Sequence, residues 1–211
     1  MRLVKHEHAC LVLTQGTDTL IIDPGSFTLP LDGINGVVAI VVTHEHPDHW
    51  TPEHLDRILA TSPGARIFGP AGFALAAKGY EVTTVAEGDT AEVGAFTLAF
   101  YGSKHAIIHS SIPVIDNVGV LVNDELWYGG DSYTVPPVAV GTAAVPSGAP
   151  WLKIGEAMDY AAELKAKRVL PTHDMVLSVI GKGFANARLT TVVEANGGEY
   201  FALEPGEGID L

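Results

Sequence analysis

Short apolar stretches separated by turn residues recur along the chain and predict a protein rich in β-strands. The clearest stretch is residues 37–42, six apolar residues of which four are valine. A run that is apolar at every position is typical of a strand buried on both faces of a sheet. Weaker patterns predict further strands at residues 2–6, 9–14, 18–23, 65–68, 81–85, 90–93, 96–101, 117–122, 125–129, 138–145, 168–172, 199–203 and 207–210.

Helical spacing of apolar residues appears between these strands. Thr51 is a predicted N-cap, Pro52 suits the first helical position, and apolar residues at 55, 58 and 59 share one helical face. The predicted helices cover residues 52–61, 70–78, 154–166 and 184–195. Because groups of strands followed by helices occur in both halves, the pattern predicts two β-sheets packed face to face with helices outside, in one domain spanning residues 1–211.

A dense set of candidate metal ligands follows the strand at residues 37–42, and its members are His44, His46, Asp48 and His49. Pro47 excludes a helix at this point and favours an extended backbone at His46. In an extended segment the side chains of His44 and His46 point the same way, so they can bind one ion together. Asp48 and His49 come one turn later and face a second point nearby. Imidazole and carboxylate ligands at this spacing suit zinc or another first-row divalent metal.

Other predicted strands also end in candidate ligands. His105 and His109 follow one such strand, and His173 follows another. Asp131 comes after two glycines, which let the backbone approach a partner closely, although Gly-Gly-Asp is also typical of a simple turn. Asp23 ends a strand before a tight turn, and it fits either an Asx-turn or a residue that orients a metal-binding histidine.

The segment His44-Glu45-His46-Pro47-Asp48-His49 resembles the HxHxDH signature of the metallo-β-lactamase superfamily, and the later candidates occur in that superfamily's order. The resemblance spans nearly the whole chain and implies the αββα sandwich of the metallo-β-lactamase fold, an α/β architecture of four layers. The run from residue 138 to residue 173 is most similar to the small stand-alone lactonase-like (UlaG-like) hydrolases. The resemblance implies that His44, His46 and His105 hold one metal, that Asp48, His49 and His173 hold another, and that Asp131 lies between them.

The residues leave two candidates for the third histidine of the first group, because His105 and His109 follow the same strand. In the superfamily this histidine follows a glycine-containing turn, which Gly102 supplies, so the resemblance favours His105. His109 is then expected to support the site or to face the substrate, as an acid or a hydrogen-bond donor. A loop histidine with no role in the site is the alternative for His109.

The resemblance implies a metal-dependent hydrolase with two divalent metal ions, zinc being the expected metal and manganese or iron the alternatives. Such a site activates water for attack on an ester-like bond of a small-molecule substrate, namely a lactone, ester or thioester. Asp48 and Asp131 are the carboxylates expected to take part, Asp48 by passing a proton to the leaving group. The alternatives are a phosphodiesterase, an iron-dependent oxidative enzyme of the same fold, and a metal-binding protein without activity.

Composition and charge limit the kinds of partner that the protein is expected to bind. With 25 acidic and 12 basic residues the net charge is −13, which argues against a nucleic-acid partner. No apolar run is long enough to span a membrane and no export signal is apparent, so we expect a cytoplasmic protein without a membrane partner. The single cysteine, Cys10, is expected in the core. The uncharged stretch between Tyr133 and Trp151 predicts a pocket wall or a subunit contact, so a homo-oligomer is one state the sequence allows.

Four other residues, namely three histidines and a tryptophan, also carry expectations. His6 and His8 alternate on the first predicted strand and have no candidate partner nearby, so both are expected at the surface. His54, on the first predicted helix, is expected to be solvated. Trp50 follows the ligand run directly and fits either a pocket wall or a packing role.

Overall fold

Two mixed sheets of seven strands each form the centre of the protein in the computed structural model, which describes all 211 residues. The strands are β1 (Arg2–Lys5), β2 (Leu11–Gln15), β3 (Asp18–Ile22), β4 (Val37–Val41), β5 (Arg66–Gly69), β6 (Val82–Thr84), β7 (Thr90–Val93), β8 (Phe96–Tyr101), β9 (Gly119–Val122), β10 (Leu126–Tyr128), β11 (Thr142–Pro146), β12 (Arg168–Thr172), β13 (Glu199–Tyr200) and β14 (Gly208–Asp210). The order is β14-β1-β2-β3-β4-β5-β6 in the first sheet and β13-β12-β11-β10-β9-β8-β7 in the second.

Four helices cover the outer faces of the two sheets: α1 (Pro52–Thr61), α2 (Ala71–Ala76), α3 (Ile154–Leu164) and α4 (Val179–Ala195). A cluster of 20 buried residues fills the space between the sheets. A second cluster packs α1 and α2 on the first sheet, and a third packs α3 and α4 on the second. These four layers confirm the predicted αββα sandwich. None of the helices has the length and apolar character needed to cross a membrane.

Strand direction brings the ligand-bearing ends of the two sheets to the same edge. In the first sheet β3 and β4 are parallel. In the second sheet β10, β11 and β12 are parallel, and β8 runs the same way because it is antiparallel to β9, which is antiparallel to β10. Since the carboxyl ends of parallel strands meet at one edge, the segments that follow β3, β4, β8, β10 and β12 gather there.

Several elements differ from the sequence-based prediction in extent, and β11 and α4 differ most. The strand predicted at residues 138–145 is β11 and begins only at Thr142, while Val138 is 45% exposed outside any strand. Helix α4 begins at Val179, five residues before the predicted start, with the Ser178 hydroxyl accepting a hydrogen bond from Gly181 N. The sequence did not predict the start of this helix, because it contains glycines at 181 and 183 and glycine disfavours a helix.

Two expectations about exposure were wrong. His54 is only 7% exposed, because its ring reaches back along α1 and its Nε2 lies 3.1 Å from the Thr28 carbonyl. His8 is fully buried: β1 ends at Lys5, and the chain then turns, with His8 in the left-handed region at φ 61°. Alternation along a strand therefore does not apply to His8. Trp50 has the packing role, since its ring contacts Phe73 in the cluster under α1 and α2.

Candidate metal centre

The strand ends gathered at one edge bring histidines and carboxylates into three overlapping groups. Within each group the ligand atoms all lie within 4.8 Å of one another. The groups are His44, His46 and His105; His44, His49 and Asp131; and His8, Asp48, His49 and His173. Every metal ligand predicted from the sequence is in one of them, and His8 is a member that the sequence analysis missed. The assignment of these residues as ligands stays a prediction.

Asp131 lies at the centre of the arrangement. Its Oδ1 is 3.3 Å from Nε2 of His49, and its Oδ2 is 3.3 Å from Nε2 of His105 and 3.1 Å from Nε2 of His173. Because these histidines come from both implied metal positions, Asp131 has the placement expected of a carboxylate between them. Its backbone is fixed by a hydrogen bond from Asp131 N to Oδ1 of Asn117 at 3.0 Å.

In His105 and His173 the ring nitrogen that points away from the centre, here called the outer nitrogen, makes a hydrogen bond to the backbone. This hydrogen bond determines which ring nitrogen carries the proton. Nδ1 of His105 donates to the Ala106 carbonyl at 2.5 Å, and Nδ1 of His173 donates to the Gly148 carbonyl at 2.6 Å. A carbonyl oxygen only accepts, so the proton of each neutral ring is on Nδ1 and Nε2 carries the lone pair. A hydrogen bond donated by the outer nitrogen leaves the inner nitrogen free to bind a cation, and it is the usual support of a metal-binding histidine.

Unpartnered buried atoms show that this donor set fits a divalent metal. Nε2 of His49, His105 and His173 and Oδ1 of Asp131 are buried and make no hydrogen bond of good geometry, although each of these nitrogens lies 3.1–3.3 Å from an oxygen of Asp131. Buried polar atoms are nearly always well paired, so four of them facing one another with poor geometry indicate a common partner. A cation bound by imidazole nitrogen and carboxylate oxygen satisfies all four, and this ligand chemistry suits zinc, iron or manganese.

Asp23 supports the site from behind, as one of the two sequence-based interpretations expected. Its Oδ2 is 2.6 Å from Nδ1 of His49 and accepts a hydrogen bond from Oγ1 of Thr43 at 2.7 Å, while its Oδ1 accepts one from Thr43 N at 2.8 Å. Since the Thr43 hydroxyl donates to Asp23, its oxygen accepts from Nδ1 of His44, 3.1 Å away. One fully buried carboxylate therefore orients two histidines.

We expect Asp23→Asn to lower metal affinity by about 10- to 100-fold with little change in fold. An amide that keeps its oxygen on Thr43 N presents NH₂ to His49, so the ring must accept there and carry its proton on the inner nitrogen. Metal titration monitored by calorimetry measures the loss. Asp18→Asn, at the opposite end of β3 and in none of the ligand groups, is the control and should bind metal like the wild type. Unchanged affinity in Asp23→Asn would contradict the supporting role.

Protonation of His173 would compete with metal binding at the predicted position. Burial lowers the pKa of His173, but the negative charge of Asp131 outweighs burial and raises the pKa to about 9. The ring is therefore protonated at neutral pH without metal, and it must lose that proton before Nε2 binds a cation. A folded-state pKa above the unfolded value stabilises the metal-free protein below about pH 6.5, and this contribution is lost as the pH rises through 9.

Metal affinity is accordingly expected to rise with pH up to about 9, with a proton released on binding. Calorimetric titrations in buffers of different ionisation enthalpy count the released protons. Thermal unfolding of the metal-free protein should show the opposite trend, with stability falling over the same range. A metal affinity independent of pH between about 6.5 and 9 would contradict the assignment of His173 as a ligand.

The segment between Tyr133 and Trp151 adjoins the centre. Trp151 Nε1 donates a hydrogen bond to Oδ2 of Asp131 at 2.9 Å, and the indole ring lies 5.8 Å from the His105 ring. Tyr133, Trp151 and their neighbours line a cavity of about 690 Å³ beside the metal groups. The segment therefore forms the wall of a cavity, one of the two roles predicted for it.

His109 lies outside all three groups. The side chain is exposed, and its Nδ1 is 2.8 Å from Oγ of Ser111 within its own loop. His8, by contrast, belongs to one group although no local sequence signal marks it. Burial lowers the pKa of His8, which keeps the ring neutral.

The fold and the groups of ligand atoms define a domain of the metallo-β-lactamase class. A family model described as "Beta-lactamase superfamily domain" matches residues 2–173, which include every residue of the three groups. The chain therefore belongs to this superfamily.

Individual relatives agree with this assignment. Protein Rv0786c of Mycobacterium tuberculosis (strain ATCC 25618 / H37Rv) is 36% identical over 195 residues, which are 90% of this chain and 92% of the relative. The fold is similar to that of Igni18, a metallo hydrolase from Ignicoccus hospitalis KIN4/I, with a TM-score of 0.74 at 18% identity over 99% of this chain and 97% of that one. It is also similar to CmlA, a diiron β-hydroxylase from Streptomyces venezuelae, with a TM-score of 0.76 at 15% identity over 100% of this chain and 54% of that one.

Proposed function

We propose that the protein is a metal-dependent hydrolase that cleaves an ester-like bond, namely a lactone, ester or thioester, in a small-molecule substrate. The observation that carries this proposal is the set of four buried, unpartnered ligand atoms that face one another. Membership of the superfamily and the similarity to a metallo hydrolase support it. When bound, divalent ions would activate water for attack on a carbonyl carbon and stabilise the negative charge that develops.

The proposal assigns each predicted ligand to a position. We assign His44, His46 and His105 to one metal ion, Asp48, His49 and His173 to a second, and Asp131 to the place between them. Zinc is the expected metal because nitrogen-rich sites with carboxylates favour it, and manganese or iron are the alternatives.

Asp48 marks the side from which substrate approaches. Its side chain is 24% exposed, whereas the side chains of His44 and His49 are fully buried. A carboxylate at the open side of the site can accept a proton and pass it to the leaving group, provided it lies within hydrogen-bond reach of that group.

We propose that an uncharged or apolar portion of the substrate lies against the apolar part of the cavity wall. The cavity beside the centre is lined by Ile107, Ile108, Trp151 and Leu152 on that part, and by Lys104, Lys153 and Glu156 elsewhere. A net charge of −13 repels polyanions, which argues against nucleic acid and places a phosphodiester second to an ester-like bond. We therefore keep the lactonase-like subgroup as the proposed branch of the superfamily.

A substrate panel tests the proposal directly. Protein loaded with zinc or manganese is assayed on lactones, aryl esters, thioesters and a chromogenic phosphodiester, with Asp131→Ala and a chelator-treated sample as controls. We expect hydrolysis of at least one carbonyl substrate that both controls lose. Preferential phosphodiester cleavage would replace the substrate class. No metal-dependent turnover on any substrate would favour the metal-binding protein without activity.

An iron-dependent oxidative enzyme is the second candidate, and the similarity of fold to the diiron protein CmlA is the observation that favours it. The same imidazole and carboxylate ligands also suit iron. Elemental analysis of protein purified without added metal separates the candidates. About two zinc or manganese ions per chain supports hydrolysis, whereas iron together with oxygen consumption supports oxidation.

Self-association is part of the proposal as well. Val179, Ile180 and Phe184 on α4 are 88%, 72% and 70% exposed, and apolar side chains in such a group are unusual on a monomer surface. The molar mass in solution, measured by light scattering, tests the proposal, and a monomer at all concentrations would contradict it.

A further inference from the structure

His8 is the one member of the metal-binding groups that comes from the first turn of the chain, and it contacts the site through both backbone and side chain. Its carbonyl accepts a hydrogen bond from His173 N at 2.8 Å. Its fully buried ring packs on the His173 ring at 3.9 Å between centroids, and on Phe27 at 4.7 Å. These contacts hold the ring in one orientation beside Asp48.

The two ring nitrogens of His8 have different partners. Nδ1 accepts a hydrogen bond from Met175 N at 3.3 Å, and Nε2 lies 3.2 Å from Oδ2 of Asp48. A backbone N–H only donates, so Nδ1 carries the lone pair. The proton of the ring is therefore on Nε2, from which it is donated to the Asp48 carboxylate.

This arrangement is the reverse of that in His105 and His173, whose outer Nδ1 donates to a carbonyl and whose Nε2 is free to bind a cation. If His8 bound a metal through Nε2, its proton would have to move to Nδ1 and face the Met175 N–H. Two donors would then point at each other inside the protein, at the cost of an unsatisfied buried group.

Asp48 needs such a partner. Its carboxylate is the most exposed of the proposed ligand side chains at the second metal position, and His8 supplies its only hydrogen bond from outside the proposed ligand set. We infer that His8 is a positioning residue, which donates from Nε2 to Asp48 and fixes that carboxylate for its role in the site, and that His8 is not itself a metal ligand. The inference rests on the proposed function in one respect, that Asp48 binds metal.

Two amide substitutions separate the interactions of His8. In His8→Gln the amide nitrogen reaches roughly the position of Nε2 and can still donate to Asp48. In His8→Asn the amide oxygen can accept from Met175 N, as Nδ1 does, but no donor reaches Asp48. Asparagine also tolerates the left-handed backbone at this position, so the variant that loses the Asp48 contact is the one better suited to the local fold.

The experiment titrates wild type and both variants with Zn²⁺ and with Co²⁺, measuring the affinity of each metal position and the visible spectrum of bound Co²⁺. We expect His8→Asn to weaken one of the two positions by about 10- to 100-fold, while His8→Gln stays within about threefold of wild type. His8→Gln should keep the Co²⁺ spectrum of the wild type. In an Asp48→Ala background, His8→Asn should cause no further loss, because His8 acts through Asp48.

Three other results would contradict either the inference about His8 or the proposed function. Wild-type affinity at both positions in His8→Asn would show that His8 positions nothing. Equal losses in both variants, with a changed Co²⁺ spectrum in His8→Gln, would show that His8 is a ligand. If the wild type itself bound no metal, the proposed function would fail, which is a different result from either of these.

Discussion

Replacing His44 or Asp131 by alanine is expected to abolish metal-dependent turnover while the protein still folds. His44 belongs to two of the three ligand groups, and Asp131 contacts histidines of both proposed metal positions. Loss of either removes charge stabilisation worth several kcal/mol, and about 4 kcal/mol corresponds to roughly a thousandfold in rate. Both residues lie at the strand ends, outside the three apolar clusters, so no large cavity opens in a core.

Metal content, kcat/KM on the best substrate and thermal unfolding are measured together for these variants. Glu45→Gln is the matched control, because Glu45 lies in the same loop but in none of the ligand groups. The control should keep its metal and its activity. Near-wild-type activity with full metal content in either alanine variant would show that the proposed two-metal site is wrong.

His105→Ala is expected to lose bound metal, and His109→Ala is expected to keep it. His105 faces His44, His46 and Asp131 with an unpartnered Nε2, whereas His109 is exposed and contacts only its own loop. Removing one of three nitrogens from a metal position weakens binding far more than removing a surface side chain. We expect the position that includes His105 to lose at least about 100-fold in affinity.

Counting bound metal separates this prediction from the catalytic role that the sequence suggested for His109. If His109→Ala keeps its metal but loses activity, His109 reaches the substrate from its loop in the complex. If it keeps both, His109 is a loop residue without a role in the site. Loss of metal in His109→Ala and retention in His105→Ala would reverse the assignment of the two histidines.

Local patterns were sufficient to predict the fold and to find most of the candidate site. The strand at β4 and the ligand run after it are contiguous, so apolar content and ligand spacing could be read together. Thr51 and Pro52 likewise predicted the start of α1 from helix-capping chemistry alone, and the Thr51 side chain does accept a hydrogen bond from His54 N. Features that depend on residues close together in the chain can therefore be predicted from a single sequence.

The missed features depend on contacts between distant parts of the chain. Met175 N and Asp48 fix the ring of His8, and these partners are 167 and 40 residues away. His54 was predicted to be solvated because its burial depends on Thr28, 26 residues earlier. The sequence also offered His105 and His109 as near equivalents, and only the path of their loop in three dimensions distinguishes them.

The contact between the first turn and the His173 loop has a consequence for the order in which the protein matures. The carbonyl of His8 accepts a hydrogen bond from His173 N, so one group of candidate ligands and their supporting residues joins positions 165 residues apart. During synthesis the amino-terminal part emerges first, and this group is incomplete until His173 has left the ribosome. Contacts of such long range also slow folding, so this group is expected to form late. A metal ion bound there afterwards would hold the two distant parts of the chain together. It would raise the free energy of unfolding in proportion to the logarithm of the free metal concentration.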